Sequence, residues 1–203
     1  MDALTTTDER ILEVLFEDLT TGCSIHEIST TLKIPYPQVH RNVKSLIKRE
    51  LVDSKKIGKS NMISLKRDIV TKEYIITELN RRDKVIKKYT ALRRVIEDLE
   101  KVPKFQYICI LFGSYAKGNP KHDSDIDLLF IIPKDYDYGK FEMVTKHTFI
   151  TGHVDINIGL DESLHEMWSN PSKLNVGNEL LKGHIVLKGA EGFLEAWRKH
   201  NVG

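Results

Sequence analysis

The sequence predicts an α+β protein built from two parts, and three observations lead to that prediction. Helical apolar stripes occupy the first part of residues 1–66, and two short strand-like runs follow around Gly58. Residues 67–101 contain neither glycine nor proline and keep helical spacing of their apolar residues, which predicts one connecting helical linker. Residues 102–203 alternate apolar strand-like runs with short helical segments, which predicts an α/β domain with a small mixed sheet.

Capping residues and spacing predict three helices in the first part. Thr7-Asp8 is the N-cap candidate of the first helix. Ser24, with Glu27 at capping-box spacing, predicts the start of a second helix. The segment Ile34–Pro37 opens a third helix, which runs to about Glu50. Two helices joined by a short turn, of which the second is basic, indicate a helix-turn-helix.

The third helix and the ribbon after it carry the positive charge of this part. Residues 1–32 contain seven acidic residues and one arginine, whereas residues 33–66 contain nine lysines and arginines and two acidic residues. The apolar face of the third helix is predicted to be Val39, Val43, Leu46 and Ile47. The outward side chains of the helix and ribbon are the DNA-contact candidates: Gln38, Arg41, Asn42, Lys44, Lys48, Lys55, Lys56 and Lys59. Such side chains contact phosphates and base edges in a major groove.

Residues 1–66 resemble the winged helix-turn-helix domains of prokaryotic transcription regulators. The resemblance implies DNA binding, with the hairpin after the third helix as the wing. It also makes a homodimer that reads two half-sites an expectation. Two alternatives stay open, because winged helices also serve as protein-interaction modules and because a basic face is often only solvated.

A glycine-serine pair and three aspartates carry the chemistry of the second part. Gly113-Ser114 ends a buried strand-like run over residues 105–112, and Asp125-Ile126-Asp127 follows ten residues later. Because side chains alternate along a strand, Asp125 and Asp127 point the same way, and Asp155 adds a third carboxylate if its strand is adjacent. Such a cluster is repulsive without a cation, and Mg²⁺ prefers oxygen ligands. The backbone N–H groups at the Gly113-Ser114 turn predict a phosphate site.

Each of these features has a simpler interpretation when it stands alone. A Gly-Ser pair after a strand is usually a turn, and an Asp-x-Asp is more often a solvated strand edge. His153 shares a strand face with Asp155; it is expected to be packed or solvent-facing, with an approach to the site as the alternative. The combination of three carboxylates at same-face spacing with a strand that breaks at glycine favours a catalytic site.

The segment Leu111–Phe130 resembles the signature of the DNA polymerase β-like nucleotidyltransferases, in particular their minimal members, and the similarity extends over about residues 103–189. The resemblance implies that Asp125 and Asp127 bind two metal ions and that Asp155 completes the catalytic-metal site. It assigns the triphosphate to Gly113 and Ser114, with Lys117 as a further phosphate contact. The implied cofactor is Mg²⁺, with Mn²⁺ as the alternative, and the implied substrate is ATP or another nucleoside triphosphate.

The family resemblance also implies an activity and an acceptor. Several minimal members pair with HEPN proteins as toxin–antitoxin systems in which the partner protein is adenylylated, so the expected reaction is AMP transfer to a protein. The fused winged helix departs from stand-alone members and suits an enzyme that represses its own operon. Two rival hypotheses remain: a transcription regulator that senses nucleotide without turnover, and an RNA nucleotidyltransferase, for which Lys117 and Lys121 are a weak indication.

Composition agrees with these expectations without deciding between them. The formal net charge is +2, so the overall charge alone does not indicate a nucleic-acid partner. The two cysteines, Cys23 and Cys109, suggest neither a disulfide framework nor a cysteine metal site, which is typical of a reducing cytoplasm. The acidic N-terminus and the lack of a long apolar run predict neither a targeting segment nor a membrane span.

Overall fold

The computed structural model describes residues 3–58, 60–102, 105–149, 153–169 and 175–202 of the chain. It divides into two compact units, Met1–Ile69 and Val70–Gly203. Both units mix helices with small sheets, which confirms the α+β class. No helix among the described residues is long and apolar enough to cross a membrane.

The first unit packs three helices against a small antiparallel sheet. Its elements are α1 (Thr6–Glu17), β1 (Cys23–Ser24), α2 (Ile25–Leu32), α3 (Tyr36–Lys48), β2 (Val52–Ile57) and β3 (Ser60–Leu65). The sheet order is β1-β3-β2, so the last two strands form a hairpin to which β1 is added. The core is made by apolar faces of all three helices and both long strands, including Ile11, Phe16, Ile28, Val43 and Ile63.

Side-chain caps start the first two helices. The Ser24 hydroxyl accepts a hydrogen bond from the Glu27 N–H, and the Glu27 carboxylate accepts one from the Ser24 N–H, as the sequence predicts. For α1 the predicted cap is wrong, because the helix begins two residues earlier. Thr5 is the N-cap there, and it forms a reciprocal capping box with Asp8. Asp8 therefore occupies the third helical position instead of a cap.

The second unit surrounds one four-stranded mixed sheet with helices. Its elements are α4 (Lys72–Lys88), α5 (Ala91–Leu99), β4 (Ile108–Phe112), α6 (Gly113–Ala116), β5 (Ile126–Ile132), α7 (Tyr138–Thr148), β6 (Val154–Leu160), α8 (Asp161–Trp168), α9 (Val176–Leu181), β7 (Ile185–Lys188) and α10 (Ala190–Val202). The strand order is β6-β5-β4-β7, in which β5 and β6 are parallel and the other two pairs are antiparallel. Strand β4 begins at Ile108, three residues later than the sequence predicts.

The single connecting helix predicted for residues 67–101 is wrong. The segment forms two helices, α4 and α5, and both belong to the second unit. Tyr89 is extended between them, and its ring packs edge-on against Tyr115 at a centroid distance of 5.3 Å. After the break, Leu92 and Leu99 of α5 belong to the same buried core cluster as residues of the sheet.

Candidate active site

The candidate site begins where β4 ends. Gly113 follows Phe112 directly with a φ of 69°, a conformation that favours glycine, and it opens the short helix α6. Antiparallel pairing sets Phe112 opposite Asp127. A Cβ atom on Gly113 would lie 2.9 Å from Asp127 Cγ and would overlap Oδ2. The Asp127 carboxylate therefore occupies the space in which any other residue at position 113 would place its Cβ atom.

Parallel pairing of β5 with β6 brings the second aspartate to the first. Asp127 and Asp155 are direct partners in the register of these strands, so both carboxylates project from the same face of the sheet. Asp125 lies just before β5, two residues from Asp127, and is exposed. His153 Nδ1 is 3.3 Å from Asp125 Oδ1, and the histidine side chain is 84% exposed. The structure thus groups the three predicted carboxylates at one end of the sheet.

The electrostatics of the group reflect this crowding. Partial burial raises the pKa of Asp127, and the neighbouring carboxylates of Asp155, Asp125 and Glu179 raise it further, while Lys117 opposes them. Like charges at this spacing disfavour simultaneous ionisation unless a cation is present. The site is therefore short of positive charge.

Lys117 and Glu179 lie beside the aspartates and contact each other. The Lys117 ammonium is 3.4 Å from Glu179 Oε2, and both side chains are partly exposed. The aliphatic stem of Lys117 crosses Gly183, where a Cβ atom would lie 3.1 Å from Lys117 Cγ. Sequence reasoning missed Glu179, although it lies in the stretch Asn178–Lys188 that resembles the end of the minimal domain. No local pattern marks this glutamate, because its contact with Lys117 spans 62 positions of the chain.

The donor chemistry of the three aspartates fits a hard divalent cation. Asp127 and Asp155 are neighbours across two strands, and partial burial together with the charge of Asp155 raises the pKa of Asp127. As the side chains stand, however, no group of three or more His, Cys, Asp or Glu side chains within the described ranges could hold a metal ion. The fit thus rests on the kind and placement of the donors and not on a formed coordination shell.

In the first unit, the structure separates the DNA-contact candidates into two sets. Arg41, Lys44 and Lys48 on α3 are exposed, as are Lys55 and Lys56 on β2. Lys59 lies outside the described residues.

Two of the DNA-contact candidates, Gln38 and Asn42, are partly buried and form hydrogen bonds with α1. Gln38 Nε2 donates to Thr7 Oγ1 at 3.3 Å, and Asn42 Nδ2 donates to Asp8 Oδ1 at 2.9 Å. These two residues are four apart and share the α3 flank that packs beside the start of α1. Ile47, predicted to be in the core, is 39% exposed because Val39, Val43 and Leu46 already form the buried face.

Comparison with known families supports a nucleotidyltransferase domain in the second unit. Residues 91–176 match the family model described as "Nucleotidyltransferase domain". The matched range includes Gly113 and all three aspartates, and it ends three residues before Glu179. No curated protein and no solved structure gives a significant match. The coarse activity that this supports is nucleotidyl transfer.

Proposed function

We propose that this protein is a Mg²⁺-dependent nucleotidyltransferase that transfers AMP from ATP to a protein acceptor and releases pyrophosphate. One observation carries the proposal: strand register sets Asp155 beside Asp127, next to the glycine turn, inside the segment that matches the nucleotidyltransferase domain. A structural role alone does not require three carboxylates at one end of a sheet, where they repel each other.

Each part of the site has a role in this reaction. Asp125, Asp127 and Asp155 would hold the divalent cations, Mg²⁺ or Mn²⁺, which would neutralise the triphosphate and activate the attacking hydroxyl group. The backbone N–H groups of the Gly113–Ser114 turn and the Ser114 hydroxyl donate hydrogen bonds to phosphate oxygens. The ammonium group of Lys117 supplies positive charge on the same side of the aspartates.

The first unit supplies DNA binding in this proposal. Its element order, with three helices and a terminal antiparallel hairpin, is consistent with the proposed winged helix-turn-helix. The supporting observation is the exposed basic row of Arg41, Lys44 and Lys48 on α3, together with Lys55 and Lys56 on the hairpin. A homodimer that binds its own operator, and a HEPN-type protein as acceptor, complete an antitoxin-like autoregulator. Both rest on the family resemblance of the sequence.

A second candidate is a regulator that senses nucleotide without turnover. The two candidates differ in a single measurable product, since only the enzyme releases pyrophosphate.

The test measures pyrophosphate release and transfer of label from α-labelled ATP with Mg²⁺, in the presence of lysate from the source cells. We expect Asp127→Asn and Asp155→Asn to abolish both signals. Asp123→Asn is the matched control, because Asp123 is exposed and precedes the strand. ATP binding by the wild type without any release would refute the enzyme and favour the sensor.

A further inference from the structure

The contact between Lys117 and Glu179 involves a lysine that lowers the pKa of Asp127. The two charged groups are 3.4 Å apart, and their side chains are 42% and 47% exposed. Glu179 also adds a fourth negative charge beside the three aspartates. The Lys117 ammonium group is therefore attracted both to the Glu179 carboxylate and to the carboxylates of the aspartates.

A buried cluster on α4 and directly before β7 fixes the turn that follows Glu179. The cluster consists of Glu78, Arg81 and His184, of which Glu78 and His184 are fully buried. The Arg81 guanidinium pairs with Glu78 and also donates a hydrogen bond to the His184 carbonyl oxygen at 2.8 Å. His184 Nδ1 lies 2.8 Å from the Leu180 carbonyl oxygen and donates to it, since a carbonyl oxygen only accepts.

These bonds hold both ends of the segment Leu180–His184. Glu179 precedes this segment directly, and Gly183, over which the Lys117 stem lies, is inside it. A turn anchored by a buried ionic cluster holds the backbone next to Glu179 in place. Lys117 has the longer side chain of the pair, so we assign the change of partner to the lysine.

We propose that Glu179 is a positioning residue that holds Lys117 beside the aspartates when nucleotide is absent and releases it to the triphosphate when nucleotide binds. The inference rests on the proposed nucleotide site. An exposed ion pair at this distance contributes little stability, so the several negative charges of a triphosphate can replace one carboxylate as the partner of the lysine. Release of pyrophosphate returns Lys117 to Glu179, which prevents the lysine from retaining the product.

The competition between Glu179 and phosphate for Lys117 predicts the direction in which a substitution at Glu179 changes the Kd for MgATP. Glu179→Gln removes the competing charge at nearly constant shape, so Lys117 is fully available to phosphate oxygens. We expect the Kd for MgATP to fall about two- to fivefold, the range given by loss of one exposed ion pair. In a Lys117→Met background, which keeps the aliphatic stem over Gly183, the same substitution should have no effect. The non-additivity in this double-mutant cycle reports the competition directly.

The experiment is calorimetric titration of the full chain with MgATP for the wild type, both single variants and the double variant. Glu191→Gln, an exposed carboxylate on α10, is the control for a general change of charge and should leave the Kd unchanged. Weaker or unchanged binding by Glu179→Gln would overturn the inference. A gain that persists in the Lys117→Met background would also overturn it, because simple repulsion between Glu179 and phosphate would then explain the effect.

The wild-type titration separates this inference from the function on which it rests. If the wild type binds MgATP and the cycle is additive, the positioning role fails and the nucleotide site stands. If the wild type does not bind MgATP, the proposed function fails and the inference fails with it. Turnover is not needed for the measurement, so the cycle is equally informative for an enzyme and for a nucleotide sensor.

Discussion

Substitution of Gly113 by alanine tests whether the glycine turn sets the position of the Asp127 carboxylate. The added methyl group would lie 2.9 Å from Asp127 Cγ and would overlap Oδ2. Carbon atoms prefer separations of about 3.5–4.0 Å, so Asp127 or the turn must move by about 1 Å. The backbone adds a second cost, because a φ of 69° is unfavourable for any residue with a Cβ atom.

The two costs affect different measurements. Left-handed backbone at an alanine lowers the free energy of unfolding by about 1–2 kcal/mol. Displacement of a catalytic group by about 1 Å lowers the rate about 100-fold, which corresponds to about 2.7 kcal/mol in the activation barrier. Gly113→Ala should therefore remain folded and bind DNA while its pyrophosphate release falls about 100-fold.

Gly118→Ala is the matched control for the backbone cost. Gly118 has a φ of 76°, and the nearest atom to a Cβ placed there is Lys88 Nζ at 3.6 Å. The control thus has the same strain without the overlap with Asp127. Unfolding can be followed by tryptophan fluorescence, because both tryptophans lie in the second unit.

Two outcomes would refute this reasoning. If Gly113→Ala keeps activity within about threefold of Gly118→Ala at equal stability, the contact between the glycine and Asp127 does not position the carboxylate. If both variants lose activity equally, the conformation of the loop matters and the overlap does not.

Two further predictions concern pH and DNA. Burial alone would raise the pKa of Glu78, but the charges and hydrogen bonds of Arg81 and His184 together outweigh burial, and the pKa falls from 4.5 to about 2. The stabilisation is therefore present above about pH 4.5 and is lost as the pH falls toward 2, which lowers the unfolding free energy by about 3 kcal/mol. Denaturant titrations over this pH range measure the loss. A Glu78→Gln variant with the same acid dependence as the wild type would contradict the prediction. On random-sequence duplex DNA, Arg41→Ala should weaken binding and lower the salt slope by about 1. Asn42→Ala should leave DNA affinity within about twofold of the wild type. It should lower the unfolding free energy of the first unit by about 1 kcal/mol, because the hydrogen bond to Asp8 is lost. Weaker DNA binding with unchanged stability would mean that Asn42 contacts DNA.

Local features of the fold and of the site were predictable when their causes act within a few residues. The cap at Ser24 needs only Glu27 three positions later, and it is present as predicted. The break at Gly113 follows from glycine at the end of an apolar strand. Where several local solutions compete, the same reasoning failed: Thr5 caps α1 in place of Thr7-Asp8, because the carboxylate of Asp8 completes a capping box from the third helical position.

Features that depend on contacts between distant segments were not predictable. Helical spacing within α3 does not reveal that Gln38 and Asn42 form hydrogen bonds with α1. The break at Tyr89 arises because α5 has its own place in the core, which helical periodicity within the segment cannot indicate.

The sequence by itself determined which chemical groups the site contains: three aspartates at strand spacing and a glycine turn before them. The tertiary structure decided how they combine. Strand β6 pairs with β5 in the parallel register that joins Asp155 to Asp127, and α9 returns Glu179 to Lys117 across 62 positions. Alternation along a strand acts over two residues, whereas register and docking are set by burial of the whole sheet, so only the folded chain shows which carboxylate lies beside which cation.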